Sequence, residues 1–258
     1  MSTFLFDKVI FGPVQSRRLG ASLGINLMPN DRKVCTYDCI YCECGWTDNK
    51  GHKSGFHPRR EVRERLEERL QQMKDRDEPL DTITFAGNGE PTMHPRFDLI
   101  IQDTLAIRNR IFPNAQVAVL SNASLIHKPK VFNALKRVDQ NILKLDSVFE
   151  ETVKNLNQPG PHFNLKRQMD QLVAFNGALI IQTLFLRARY NGHSIDNTSH
   201  EEVDAWLKAL RKINPQQVMI YTVARDTPID GIERIEYGAL RRIADRVETL
   251  GIPVQISD

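Results

Sequence analysis

Six short, β-rich apolar runs recur along this chain, at residues 24–27, 82–86, 117–121, 142–146, 178–186 and 218–223. Between them lie apolar residues spaced by threes and fours: Val62/Leu66/Leu70/Met73, Leu165/Met169/Leu172/Val173, Val203/Trp206/Leu207/Leu210 and Leu240/Ile243/Val247/Leu250. That spacing puts each set on one face of a helix. Strands alternating with helices dictate a parallel sheet, because each right-handed crossover returns the next strand beside the last. A seventh run, 253–257, closes an edge. Six strands fall short of the eight of a closed barrel, so the expected fold is α/β, a partial (β/α)6 parallel barrel that is open laterally. Its chemistry belongs at the C-terminal ends of the strands. A core of this size fits a single domain over 1–258, with an N-terminal extension at about 1–22 and a cysteine-bearing loop at about 28–58.

All four cysteines of the chain, Cys35, Cys39, Cys42 and Cys44, fall within ten residues. A disulfide framework staples distant parts of a small secreted domain, so such crowding points to metal instead. Cys39-x-x-Cys42 chelates one centre from a single turn, and Cys35 extends the set to C-x₃-C-x₂-C. Ferredoxin runs saturate a four-iron cluster with four thiolates, whereas three thiolates leave one iron open. An open iron accepts the amino and carboxylate groups of S-adenosylmethionine, and one electron passed into the sulfonium releases a 5′-deoxyadenosyl radical that takes hydrogen from carbon. The competing reading is a tetrahedral Cys₄ zinc site that recruits Cys44. Structural zinc usually joins two separated knuckles, and the sequence holds no second one; Cys44 reads as a free thiol.

C-x₃-C-x-x-C with the aromatic Tyr41 before the third cysteine resembles the signature of the radical S-adenosylmethionine superfamily. FGPVQSRRLGASLGINLMP ahead of the cysteines, FAGNGEPTMHP after the second strand and VLSNAS after the third are similar to one of its branches, the small iron–sulfur oxidoreductases related to the wyosine-forming tRNA enzymes. The resemblance covers most of the chain. It implies a [4Fe–4S] cluster on Cys35, Cys39 and Cys42, with S-adenosylmethionine beside it.

The resemblance also distributes roles. Gly87, Asn88, Gly89, Glu90 and Pro91 match the segment that receives the methionine ammonium, and glycines with a nearby carboxylate suit a close N⁺–H donor. Ser121 and Asn122 end the third strand, where polar groups meet the carboxylate or ribose. Lys144 and Asp146 end the fourth, where a carboxylate holds ribose hydroxyls and a cation pairs with the methionine carboxylate. Tyr41 and the strand-six segment around Val223 match surfaces that sandwich adenine. Arg187 and Arg225 follow strands five and six as long cations at the active end. Each of these has a plain alternative as a turn, core or surface residue. Ser16-Arg17-Arg18 belongs to the branch's pattern without a readable task, and His94, His127 and His162 lack the spacing of metal ligands.

Formal net charge is +3, far from the strong basicity that binds nucleic acid by charge alone. No run approaches the roughly 18 apolar residues of a membrane span, and the N-terminus lacks a secretory pattern, so no membrane partner and a cytoplasmic address are expected. Residues 45–58 form an aperiodic loop carrying Lys50, His52, Lys53 and His57 against Asp48, which reads either as a solvated connection or as a site for an anionic substrate. Relatives that build the tricyclic base carry extra cysteines for a second cluster; with none outside 35–44, one cluster is expected here. A one-electron reductant such as flavodoxin or ferredoxin is implied. The branch resemblance and the basic loop imply an RNA base, as in tRNA, or another bulky substrate; the alternative is a partner protein on which a glycyl radical is generated. A non-catalytic metal-binding module is the reading outside enzymes.

Overall fold

The computed structural model describes residues 4–47 and 55–257. Its chain order begins with strands β1 (Ile10–Ser16) and β2 (Gly20–Ile25), helix α1 (Arg59–Asp75), β3 (Thr82–Phe85), α2 (Phe97–Ile111), β4 (Gln116–Ser121), α3 (Pro129–Leu135) and β5 (Gln140–Lys144). There follow α4 (Glu150–Asn157), α5 (Leu165–Ala174), β6 (Ile180–Leu184), β7 (Leu186–Tyr190), β8 (His193–Asp196), α6 (His200–Ile213), β9 (Gln217–Tyr221), β10 (Glu233–Arg234), α7 (Tyr237–Glu248) and β11 (Val254–Ser257).

Eight strands form one sheet in the order β1-β2-β3-β4-β5-β6-β9-β11. Every neighbouring pair from β2 to β11 is parallel, and β1 alone runs antiparallel, against β2. The sheet curls into a partial barrel whose end strands do not pair with each other, so it stays open at the side. The six expected strands and the edge strand 253–257 are therefore present. Two boundaries differ. The expected N-terminal extension is an antiparallel hairpin built into the sheet, because β2 starts at Gly20. The run 178–186 ends at Leu184, after which the chain turns into a separate three-stranded sheet of order β10-β7-β8.

Two apolar layers follow from the strand period of two. Val117, Val119, Ile181, Val218 and Ile220 face outward into the main core, packed against helix residues such as Leu66, Leu70, Trp206 and Leu210. The alternate residues Ala118, Ile142, Ile180 and Met219 face the barrel interior, where Leu19 and Leu120 join them. The helices are those the periodic residues predict, with α2, α3 and α4 in addition. On α5, Leu172 is buried, but Val173 is exposed rather than part of the packed face. Caps fix two starts: the Asn164 side chain accepts from the Arg167 amide and that of Ser199 from the Glu202 amide.

Candidate active site at the C-terminal ends of the strands

Stepping two residues along each inward-facing row changes the chemistry. Leu120 gives way to Asn122, Ile142 to Lys144, Ile180 to Gln182 and Met219 to Tyr221. The apolar residues close one end of the barrel interior, and the polar ones gather at the end where the strands finish.

The cysteine loop lies over that polar end and is pinned there by the glycine segment. Val34 donates its amide to the Asn88 carbonyl at 2.8 Å, and the Glu90 amide donates to the Val34 carbonyl at 3.1 Å, forming a bridge across Gly89. Gly89 has φ +139°, and a Cβ there would stand 1.8 Å from the Val34 carbonyl oxygen, so no other residue admits this approach. Asn88 is fully buried and ties three segments together: its side chain donates to the Phe6 and Pro29 carbonyls at 2.9 and 2.8 Å and accepts from the Phe6 amide at 2.8 Å.

Cys35, Cys39 and Cys42 share one apolar pocket with Tyr37, Ile40, Tyr41, Leu156 and Leu184. Each thiol has a polar neighbour that favours its anion. The Tyr37 amide and the Asn122 side-chain amide lie 3.4 and 3.5 Å from Cys35 Sγ, and the Asn157 side-chain amide lies 3.4 Å from Cys39 Sγ. Burial still pushes Cys35 up to about 12 and raises Cys39 as well. Cys42 falls to about 6, first because Cys44 donates a hydrogen bond to it and also because Lys33 is nearby. Cys44 Sγ also lies 3.5 Å from the Gly87 carbonyl. Among the described residues no three His, Cys, Asp or Glu side chains converge on a single ion. One buried and two half-buried thiols supplied with N–H donors and a cation fit a thiolate-ligated iron–sulfur cluster, which such hydrogen bonds hold and tune.

Lys33 is that cation. It is 2% exposed and donates to Asp38 Oδ1 at 3.1 Å and to the Gly45 carbonyl at 2.9 Å. Burial works against its charge, but the three thiols and Asp38 hold it above the usual lysine range.

Glu90 organises a second group. Its Oε1 accepts from Ser121 Oγ at 2.8 Å, from the Thr92 amide at 3.1 Å and from Thr92 Oγ1, while Oε2 accepts from the Asn122 amide at 2.7 Å. Burial nevertheless raises its carboxyl above the ordinary range. The Asn122 side chain then reaches the cysteine loop through Thr36 Oγ1 at 2.8 Å. A third group centres on Asp146, whose side chain is fully buried. Oδ2 accepts from Tyr41, from Asn157 at 2.8 Å and from Lys144 at 3.3 Å, and Oδ1 accepts from the Leu184 amide at 2.9 Å. Lys144 also donates to Tyr41 Oη at 2.6 Å and sits over the Tyr41 ring at 5.0 Å. Burial works against its charge, but Asp146 keeps Lys144 above the usual range.

The structure thus brings together Tyr41, Gly87, Asn88, Gly89, Glu90, Pro91, Ser121, Asn122, Lys144 and Asp146 around the three cysteines, with Val223 packed against the same pocket. It does not bring Arg187 there: Arg187 lies within β7 and pairs with Asp196 at 3.0 Å and Glu233 at 2.8 Å in the small sheet. Arg225 is exposed and paired with Glu43 at 2.7 Å. His94 holds the His57 carbonyl and the Arg96 amide in a loop. Lys50, His52, Lys53 and Asp48 lie outside the described residues. Sequence reasoning missed Lys33, whose only signal is its place two residues before Cys35, and Asn157, which carries none.

A parallel partial barrel with a three-cysteine loop across its strand ends defines a class of iron–sulfur enzymes. The Radical SAM superfamily matches residues 32–172 of this chain, more than half of its length, and the chain belongs to that superfamily, whose members bind a [4Fe–4S] cluster and S-adenosylmethionine. Among curated proteins it is 32% identical to UPF0026 protein MJ1312 of Methanocaldococcus jannaschii over 223 residues, 84% of this chain and 64% of that protein. It is also 32% identical to a protein named GTPase Obg of Brachyspira hyodysenteriae over 228 residues, 86% of this chain but 31% of that protein. The chain therefore spans less than two thirds of both relatives. SuiB of Streptococcus suis, crystallised with S-adenosylmethionine, shares the fold with a TM-score of 0.65 at 16% identity over 91% of this chain and 50% of SuiB. A radical SAM methyltransferase from Sphaerobacter thermophilus does so with 0.67 at 13% over 92% and 65%. TYW1 with a lysine–pyruvate adduct does so with 0.61 at 12% over 88% and 73%.

Proposed function

We propose that this chain is a radical S-adenosylmethionine enzyme that holds one [4Fe–4S] cluster on Cys35, Cys39 and Cys42 and acts on a planar substrate of the RNA-base class. The observation that carries the reading is the gathering of three thiols, each given a donor or cation that favours thiolate, beside the Glu90 and Asp146 groups at the strand ends. When bound, the cluster and S-adenosylmethionine supply reductive cleavage to a 5′-deoxyadenosyl radical, with the electron coming from a reductant such as flavodoxin or ferredoxin.

The chain's own residues bind and orient. Glu90 Oε1 is filled by three donors, and among the described residues Oε2 accepts only the Asn122 amide, so Oε2 would receive the cofactor's ammonium. Lys144 uses two of its three donors on Tyr41 and Asp146 and has the third for a carboxylate. Asp146 is occupied inside the chain, so it holds Tyr41 and Lys144 in place and meets ribose only through the latter pair's arrangement. Tyr41, burdened by burial and by Asp146, stays protonated and donates.

The planar substrate is supported by Trp46, two residues past Cys44, which is 40% exposed and stacks on Tyr190 at 6.1 Å. Tyr190 packs against the cysteine pocket, so a base stacked on this pair would lie beside the radical source. Base–aromatic stacking contributes about 1–3 kcal/mol per base.

Anaerobic reconstitution should give about four irons per chain and reductive formation of 5′-deoxyadenosine; zinc, or a cluster that never cleaves the cofactor, defeats the reading. Glu90→Ala should keep the iron and weaken S-adenosylmethionine binding by about 1.5–3 kcal/mol, the worth of a charge-assisted hydrogen bond. Retention of tRNA at low salt, lost with Trp46→Ala, supports the substrate class. If tRNA is not retained, a partner protein bearing a glycyl radical becomes the better reading.

A further inference from the structure

We infer that Lys33 is a built-in electrostatic control on the reduction potential of the cluster, with Asp38 as its counterweight. The inference rests on the cluster assignment above.

A lysine ammonium is strongly hydrated and seldom surrenders its water. Lys33 has surrendered nearly all of it, with its side chain 1% exposed. It lies two residues before Cys35, yet it turns inward, and among the described residues its bonds go to the cysteine loop itself: Asp38, between Cys35 and Cys39, and the carbonyl of Gly45, just past Cys44. The ammonium therefore closes the loop from within, near enough for all three thiols to act on its charge. A buried cation of this kind is expensive unless negative charge surrounds it. Its carboxylate partner among the described residues, Asp38, is a third exposed and shares the same oxygen with the Thr47 amide at 2.7 Å. Asp38 thus neutralises Lys33 only in part, and it does so from the solvent side.

That asymmetry gives the pair a function. Three thiolates on a four-iron cluster make a centre that becomes one charge more negative when it accepts an electron. A fixed positive charge in the same low-dielectric pocket favours the reduced form, and charge and hydrogen bonding near the sulfurs are known levers on such potentials. The partly exposed carboxylate opposes it. The two side chains should therefore shift the potential in opposite directions, which a purely structural clasp would not do.

The test is a redox titration of anaerobically reconstituted protein without S-adenosylmethionine, followed by electron paramagnetic resonance, with iron counted first. K33M should move the potential to more negative values by a tenfold change in the reduction equilibrium or more, which for one electron is about 59 mV per tenfold. D38N, which keeps the size of the side chain and removes its charge, should move it to more positive values. If K33M binds no iron, the D38N shift alone decides. Potentials equal to the parent protein's in iron-loaded variants, or a D38N shift to more negative values, overturn the inference while leaving the cluster assignment standing. A parent protein that binds no iron overturns both.

Discussion

The two ends of the barrel interior are made by the same strands and differ in what they ask of them. At one end Leu19, Ala118, Ile142, Ile180 and Met219 fill the space between strands with apolar contact. Two residues further on, Asn122, Lys144, Gln182 and Tyr221 carry polar groups into a space where Asn122 and Gln182 are buried and Lys144 and Tyr221 half-buried. The first end is held by packing and tolerates any side chains of the right volume. The second holds its polar groups through particular partners, such as Asp146 for Lys144 and Tyr221 for Gln182, so its stability rests on those pairs. The barrel separates these demands by a single step of the strand period, which lets a rigid apolar plug fix the geometry of a charged site.

Breaking the polar end should have the larger effect. Asp146→Ala strands Lys144 without its carboxylate and removes the acceptor shared by Tyr41, Asn157 and the Leu184 amide. The expected loss is about 3–5 kcal/mol in chemical denaturation, the usual range for removing one partner of a buried ion pair. A loss under about 1 kcal/mol would show that water reaches this end and that the pocket is not closed. Ile142→Ala at the apolar end should lose about 2–5 kcal/mol, with the iron content per folded chain unchanged. If iron falls as well, the plug and the site are not separable as described. Arg187→Ala in the small sheet should change stability by no more than about 1 kcal/mol, since its ion pairs are solvent-exposed. It should also leave S-adenosylmethionine binding as it was; weakened binding would bring Arg187 back to the site.

The parallel strands were legible because each is a continuous apolar run between helical stretches. The β1 hairpin was not, since Val14 and Gln15 are exposed and leave no clean alternation. Likewise β7 was missed beyond Leu186, where the expected run stopped: Leu186 and Ala188 are buried while Arg187 and Arg189 are exposed, a two-residue period that marks a separate, half-solvated sheet. The gathering of Glu90 with Ser121 and Asn122 could be read from their places at successive strand ends. Lys33 could not, because a buried lysine and a surface lysine look alike in sequence. Asn157 was hidden for a different reason: it ends α4, and only the fold carries it to Cys39 and Asp146.

The central claim, that three cysteines bind a cluster and the fourth does not, is tested most directly by counting iron in Cys39→Ala and Cys44→Ala after identical anaerobic reconstitution. The account predicts that Cys39→Ala loses the cluster and that Cys44→Ala, which removes hydrogen bonds to Cys42 and the Gly87 carbonyl but no ligand, retains about four irons. Equal loss in both would make Cys44 a ligand, leave no iron open and contradict the account.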